Sequence, residues 1–200
     1  MHPFRISAAL LFLPILFGCG HREIMEPYPA NNTSNVNLAG NWALRGDKAA
    51  IARQLNKAIR DTDGARDGVH VAPQARDRRG RTGSRAGRIN AGLVYVFFKN
   101  GDSLKITQTP SALFISFDRA IVEEYRFGEM RNINVGQAEA QRVSGWDGSD
   151  YVIGTLDRNG MKLSERYSLS ADRKTLTRQI IFRGKNKESV SVVQAFIRVD

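Results

Sequence analysis

The residues that could carry out catalysis are few in this chain and are badly placed for it. Of the three histidines, His2 and His21 lie near the amino terminus and His70 lies in an arginine-rich stretch. A serine nucleophile would therefore have to rely on an isolated base. The single cysteine, Cys19, excludes an intrachain disulfide and a multi-cysteine zinc site, and no glycine pattern of a phosphate-binding loop occurs. The sequence predicts a protein that is not an enzyme and that uses no metal or cofactor.

Two polar residues interrupt the apolar faces of predicted strands, and they could fix the head group of a ligand. Glu165 lies on the same face as Leu163 and Tyr167, since alternate residues of a strand point the same way. Gln108 likewise extends the apolar face of an earlier strand. A buried polar group lowers stability unless it is paired, so Glu165 either meets a ligand or pairs within the protein. Its candidate partners are Arg126, Arg142 and Arg178.

The amino-terminal residues have the pattern of an export signal. The run Ala8–Phe17 is almost free of polar residues and follows the basic Arg5. It is too short to span a bilayer, which takes about 20 apolar residues in a helix, and it fits a secretory signal peptide. The run ends in Leu16-Phe17-Gly18-Cys19, which resembles the lipobox of bacterial lipoproteins. That resemblance implies that residues 1–18 are removed and that Cys19 is lipidated.

The lipobox resemblance also implies a location for the protein. Several acyl chains together hold a protein firmly on a bilayer, whereas one chain holds it only marginally. In lipoproteins of bacteria with two membranes, an aspartate after the cysteine favours retention at the inner membrane, and this chain has Gly20 there. We therefore expect a membrane-anchored protein of the cell envelope, on the periplasmic face of the outer membrane if the source has two membranes.

The positive charge of the chain is concentrated in one segment. The formal net charge is +10, which favours anionic neighbours. Residues 61–88 are rich in Gly, Asp and Arg and predict a disordered insertion. We call its six clustered arginines the basic patch: Arg76, Arg78, Arg79, Arg81, Arg85 and Arg88. The patch either binds anionic lipid or glycan or is simply solvated. Nucleic acid is disfavoured because no aromatic residue lies between Trp42 and Tyr95 to stack on bases.

Two further segments precede the main run of strands. Residues 19–37 show no period and contain prolines and asparagines, which predicts a flexible tether. A short α-helix is predicted at about 47–60, with Asp47 as its N-cap. Its apolar residues recur every fourth position, at Ile51, Leu55 and Ile59. This narrow stripe favours packing across one mouth of a sheet, and docking on a membrane surface is the alternative.

The rest of the chain predicts strands and turns. The predicted strands are 38–44, 92–98, 103–108, 112–117, 121–126, 137–143, 150–156, 161–169, 175–182 and 189–199. Hairpin turns are indicated at Asn100-Gly101, Asp147-Gly148 and Asn159-Gly160. Connections this short make neighbouring strands antiparallel. The predicted fold is mainly β: an antiparallel up-and-down meander of about ten strands, forming a barrel or strongly curved sheet in one domain over 38–200.

The first predicted strand carries the pattern Gly40-x-Trp42. With the meander, this resembles the opening of lipocalin barrels, although a helix and an insertion follow here in place of a second strand. The resemblance implies a pocket for a small amphipathic or lipid-like ligand, and the pocket candidates are Trp42, Gln108, Glu165 and Tyr167. Such a pocket requires an open apolar interior. The alternative is a structural or interaction lipoprotein that contacts envelope polyanions or a protein partner through the basic patch.

Overall fold

The computed structural model describes residues 23–63, 93–136, 138–184 and 188–199. The predicted signal peptide, Cys19 and the basic patch lie outside these residues. Within the described ranges, no helix is both long enough and apolar enough to cross a membrane.

One antiparallel sheet of ten strands makes up the fold, and it is nearly closed into a barrel. The predicted fold class is therefore confirmed. The strands are β1 (Gly40–Leu44), β2 (Ser103–Gln108), β3 (Ala112–Phe117), β4 (Ile121–Arg126), β5 (Glu129–Val135), β6 (Ala138–Asp147), β7 (Asp150–Asp157), β8 (Lys162–Leu169), β9 (Thr175–Arg183) and β10 (Ser189–Val199). Strands that follow one another in the sequence pair with each other, and β10 returns to pair with β1. The exceptions are β4 and β5, which form the two unpaired edges of the sheet.

Two of the predicted hairpin turns join paired strands. Asp147-Gly148 connects β6 to β7, and Asn159-Gly160 connects β7 to β8. Gly148 and Gly160 have φ angles of 63° and 82°. Glycine adopts this left-handed backbone without steric penalty, which is why the dipeptides mark the turns.

The predicted strand at 92–98 is wrong. Leu93–Phe97 forms a short 3-10 helix, so Asn100-Gly101 does not close a hairpin. Phe97 is buried, and the ring of the adjacent Phe98 lies 5.5 Å from the ring of Phe182. Consecutive strand residues would point to opposite faces, whereas here both aromatic rings are packed inside the protein. The apolar run therefore fills the barrel and adds no strand to it.

One strand was not predicted, namely β5. It contains no fully buried residue, and three of its alternate residues are exposed: Met130, Asn132 and Asn134. An edge strand with a polar outer face gives a weak sequence signal. The structure still has ten strands, as predicted, because β5 takes the place of the predicted strand at 92–98 in the count.

The helix α1 (Lys48–Asp63) follows β1. Asp47 caps it as predicted, because its Oδ1 accepts hydrogen bonds from the backbone N–H groups two and three residues later, at 2.9 and 3.2 Å. Leu55 and Ala58 are buried against Phe182 and Val192, at the ends of β9 and β10. We call this end of the barrel the helix end and the opposite end the far end.

Residues 23–37, which we call the strap, have no regular secondary structure. They run from the outer face of β6 and β7 to the far end, where Val36 packs against the core. Met25 is buried against β6 and β7. The carbonyl of Pro29 accepts a hydrogen bond from the backbone N–H of Trp146 at 2.8 Å. From residue 23 onward, the segment predicted as a tether is thus held against the barrel.

Candidate ligand-binding site

The middle of the barrel contains a buried ion pair. Glu165 and Arg178 are 3% and 0% exposed. One carboxylate oxygen of Glu165, Oε2, accepts hydrogen bonds from Arg178 Nη2 at 2.6 Å and Nε at 2.9 Å. The Tyr167 hydroxyl donates to the same oxygen at 3.0 Å. Of the three arginines suggested by the sequence, the structure thus pairs Arg178 with Glu165, and the carboxylate is neutralised within the protein.

This ion pair holds a segment of the chain inside the barrel. Arg178 Nη2 also donates to the carbonyl of Lys99 at 2.7 Å, and the Phe98 ring centre lies 5.1 Å from the guanidinium. Gln194 accepts from Arg178 at 3.2 Å and donates to the Asn100 side chain at 3.0 Å. Around the Glu165–Arg178 pair, the described interior of the barrel is filled by side chains and backbone. The open apolar interior expected from the sequence is therefore not found in this layer.

The other two pocket candidates stabilise the far end. The Trp42 indole N–H donates to the carbonyl of Leu38 at 3.1 Å. The side chain of Gln108 accepts from the Leu38 backbone N–H at 2.9 Å and donates to the carbonyl of Val36 at 3.0 Å. Both residues therefore secure the chain as it passes from the strap into β1.

The sheet is open along one seam, between β4 and β5. Near the far end the seam is closed: Ser144 Oγ donates to the Arg126 carbonyl at 2.8 Å, and the Tyr151 hydroxyl donates to the Tyr125 carbonyl at 3.1 Å. Toward the helix end it contains a cleft of about 320 Å³, which we call the seam cleft. None of Trp42, Gln108, Glu165 and Tyr167 is among its lining residues.

Arg142 forms the inner wall of the seam cleft and is 5% exposed. Its Nη1 lies 3.2 Å from Glu123 Oε2, and its Nε donates to Thr155 Oγ1 at 3.4 Å. The guanidinium lies over the rings of Phe97 and Tyr125, at 5.8 and 5.3 Å from their centres. These contacts fix a positive charge at the base of the cleft, where burial strengthens its field.

The cleft combines excess positive charge with apolar walls. Lys99, Arg131 and Arg142 line it against a single carboxylate, Glu123. Its apolar surface comes from side chains that include Phe97 and Ile133. A cleft with this lining suits a small anion that carries an apolar part, since ligand sites combine apolar walls with a few fixed polar groups.

The sequence interpretation missed this site for identifiable reasons. Arg142 was considered only as a partner for Glu165, although it lies on the inward face of β6 between Ala140 and Ser144. An arginine among small inward residues is the signal that could have indicated the cleft. Lys99 could not be placed, because it follows the run that was predicted as a strand.

Burial raises the pKa of three tyrosines, Tyr125, Tyr151 and Tyr167, above that of the free side chain. In the unfolded chain these tyrosines lose their protons near pH 10, whereas in the folded protein they stay neutral at that pH. Stability is therefore expected to be maintained below pH 10 and to fall above it, by up to about 1.4 kcal/mol per pH unit for each tyrosine. Urea unfolding between pH 8 and pH 11 measures this, and Tyr151→Phe should reduce the slope. A free energy of unfolding that is constant to pH 11 would contradict the burial of these rings.

Comparisons with known proteins give distant structural matches. No protein-family model matches the chain, and no curated protein matches it. Secretory abundant heat soluble protein 4 from Ramazzottius varieornatus has a TM-score of 0.46 and 11% identity, over 82% of this chain and 95% of that one. A structure described as the REP1-NXSQ fatty acid transporter has a TM-score of 0.43 and 12% identity, over 82% and 96%. At these TM-scores, the function of this chain has to be argued from its own residues.

Proposed function

We propose that this protein is a lipid-anchored binding protein of the cell envelope, which takes up a small amphipathic, lipid-like anion at the seam cleft. The observation that carries the proposal is the buried guanidinium of Arg142 at the base of an open, partly apolar cleft. In this proposal the protein binds its ligand without catalysing a reaction.

The charges of the cleft support binding of an anion. Arg131 is already paired with Glu129, whose carboxylate lies 3.7 Å away. The cleft therefore holds two further cations, Arg142 and Lys99, against the one carboxylate of Glu123, which is 23% exposed. A carboxylate or phosphate could accept hydrogen bonds from Arg142 and Lys99, and charge-assisted bonds of this kind are stronger than neutral ones. The apolar part of the ligand would then lie against Phe97 and Ile133.

The anchor in this proposal is a lipid on Cys19, supported by the lipobox resemblance of Leu16-Phe17-Gly18-Cys19. The membrane is then the permanent partner of the protein, on the periplasmic face of the outer membrane if the source has two membranes. Contact with anionic lipid or glycan through the basic patch stays a prediction from sequence charge.

Binding of decanoate, compared with decanol, tests the proposed ligand class. Both compounds displace 1-anilinonaphthalene-8-sulfonate if they share its site, and we expect decanoate to bind at least tenfold more tightly. Arg142→Gln and Lys99→Gln should each weaken decanoate binding about tenfold to a hundredfold, since a hydrogen bond to a charged group contributes about 1.5–3 kcal/mol. Decanol binding should change little.

Arg166→Gln is the matched control, because Arg166 pairs with Asp150 at 2.8 Å and does not line the seam cleft. It should leave decanoate binding unchanged. Lys99→Gln keeps the test valid if Arg142→Gln fails to fold, since Lys99 is only partly buried. Equal affinity for decanoate and decanol, or full decanoate affinity in Lys99→Gln, would refute the proposal.

A further inference from the structure

The strap begins at the helix end of the barrel and is fixed there. The carboxylate of Glu23 forms ion pairs with Lys162, at 3.4 Å, and with Arg183. Lys162 begins β8 and Arg183 ends β9, and these positions are paired in the sheet. Two residues later, the Met25 backbone N–H donates to Gln141 Oε1 at 3.0 Å. The start of the strap is therefore held by both charge and hydrogen bonding.

Glycines in the sheet and in one of its turns leave room for the middle of the strap. At Gly145, a Cβ atom would lie 2.6 Å from the carbonyl oxygen of Pro29, and at Gly128 it would lie 2.8 Å from the Cβ of Ala30. Any larger residue at either position would displace the strap. The path from the helix end to the far end is thus specified by the sequence of the barrel.

The start of the strap also lies beside the seam cleft. Ile24 and Asn132 line one shallow cleft of about 350 Å³, and Asn132 also lines the seam cleft. Exposed apolar side chains at this end of the seam include Ile24 at 74%, Ile121 at 43% and Val135 at 47%. Ile121 begins β4, and Val135, which lines the seam cleft, ends β5, so these two residues lie on the two sides of the seam at the helix end.

The length of chain before the strap limits how far the barrel can move from an anchor. Glu23 lies four positions after Cys19, which corresponds to at most about 14 Å of extended chain. If the strap were free, Leu38, nineteen positions after Cys19, could lie up to about 65 Å from it. Docking of the strap therefore converts a long tether into a short one.

We infer that the strap directs the helix end, with the mouth of the seam cleft, toward the bilayer that carries the lipid on Cys19. Ile24, Ile121 and Val135 then face the lipid surface. An amphipathic ligand would pass between the bilayer and the cleft over a short distance and with little exposure to water. This inference rests on the anchor in the proposed function and concerns the orientation of the barrel, which does not depend on a bound ligand.

Paramagnetic broadening of amide signals measures this orientation. The full chain is expressed and processed in its host, and the lipidated product is placed in nanodiscs that contain nitroxide-headgroup lipid. We expect strong broadening at Ile24, Ile121 and Gly160, at the helix end, and at least threefold less at Gly148 and Asp172, in far-end turns. Equal broadening at both ends, or stronger broadening at the far end, would overturn the inference.

An insertion of twelve Gly and Ser residues after Gly20 provides the test of the spacing. It adds up to about 40 Å of reach and should abolish the difference between the two ends while the fold stays intact. The same insertion after Gly148, an exposed turn residue where an added Cβ atom would meet nothing within 4 Å, is the matched control and should preserve the difference. A difference that survives the insertion after Gly20 would show that the strap does not set the orientation.

The outcomes separate this inference from the proposed function. An anchored chain with the wrong orientation overturns the inference alone, because decanoate binding at Arg142 is measured independently. Loss of selectivity for decanoate with the expected orientation overturns the proposed ligand alone. A chain that carries no lipid on Cys19 by mass spectrometry overturns the anchor and the inference together.

Discussion

Arg178→Met is expected to lower the free energy of unfolding by about 3–5 kcal/mol, because it leaves the Glu165 carboxylate buried without its partner. Arg178 also donates to the carbonyl of Lys99, so the variant should loosen the segment that fills the barrel. Urea unfolding, followed by far-ultraviolet circular dichroism, measures the change.

Two further variants define the source of this effect. Replacing both members of the pair, Glu165→Leu with Arg178→Met, should recover most of the lost stability, since no uncompensated charge remains. Arg166→Met removes a partly exposed arginine from a pair with Asp147 and Asp150 and should lower stability by about 1 kcal/mol or less. If Arg178→Met is no more destabilising than Arg166→Met, the buried ion pair does not hold the interior together.

Trp42→Ala is expected to lower the free energy of unfolding by about 3–5 kcal/mol, as for other large aromatic residues removed from a core. The side chain is fully buried, its indole N–H donates to Leu38, and the Arg198 guanidinium lies 4.3 Å from its ring centre. The variant removes all three contributions at the far end. Urea unfolding again provides the measurement.

Trp42→Phe is the matched control, because it keeps an aromatic ring in the core and removes only the indole hydrogen bond and some volume. It should be clearly less destabilising than Trp42→Ala. If Trp42→Ala lowers stability by less than about 1 kcal/mol, the far end is loosely packed, and Trp42 would again be a candidate for contact with a ligand.

The strand–turn pattern was predictable because it is encoded locally. Asp147-Gly148 and Asn159-Gly160 supply glycines with positive φ between alternating runs, and a short turn forces an antiparallel pair. Asp47 similarly marked the start of α1 through its own side chain. In each case, the signal and the structure that it specifies lie within a few residues of each other.

The errors arose where distant packing decides the structure. The run at 92–98 alternates weakly and is rich in β-branched and aromatic residues, yet Phe97 and Phe98 both pack inside the barrel as part of a short helix and the residues after it. Local propensity does not report what lies on the other side of a sheet. β5 was missed for the opposite reason, since an edge strand with few buried residues has little hydrophobic pattern to detect.

The candidate site was predictable only in part. The sequence correctly indicated that Glu165 is inward and that an arginine could pair with it, but three arginines were equally suitable until the fold brought Arg178 to 2.6 Å. The seam cleft depends on which pair of neighbouring strands fails to pair, here β4 and β5. That choice follows from the closure of the whole sheet, which leaves no local signal in the sequence.

The central claim is that a small amphipathic anion enters the seam cleft and leaves the buried Glu165–Arg178 layer undisturbed. Nuclear Overhauser contacts between unlabelled decanoate and isotope-labelled protein test this most directly. We expect contacts from the alkyl chain to Ile133 and Phe97, together with a shifted Arg142 Nε signal. Contacts to Trp42 or Tyr167 in the interior, with none to Ile133, would contradict it.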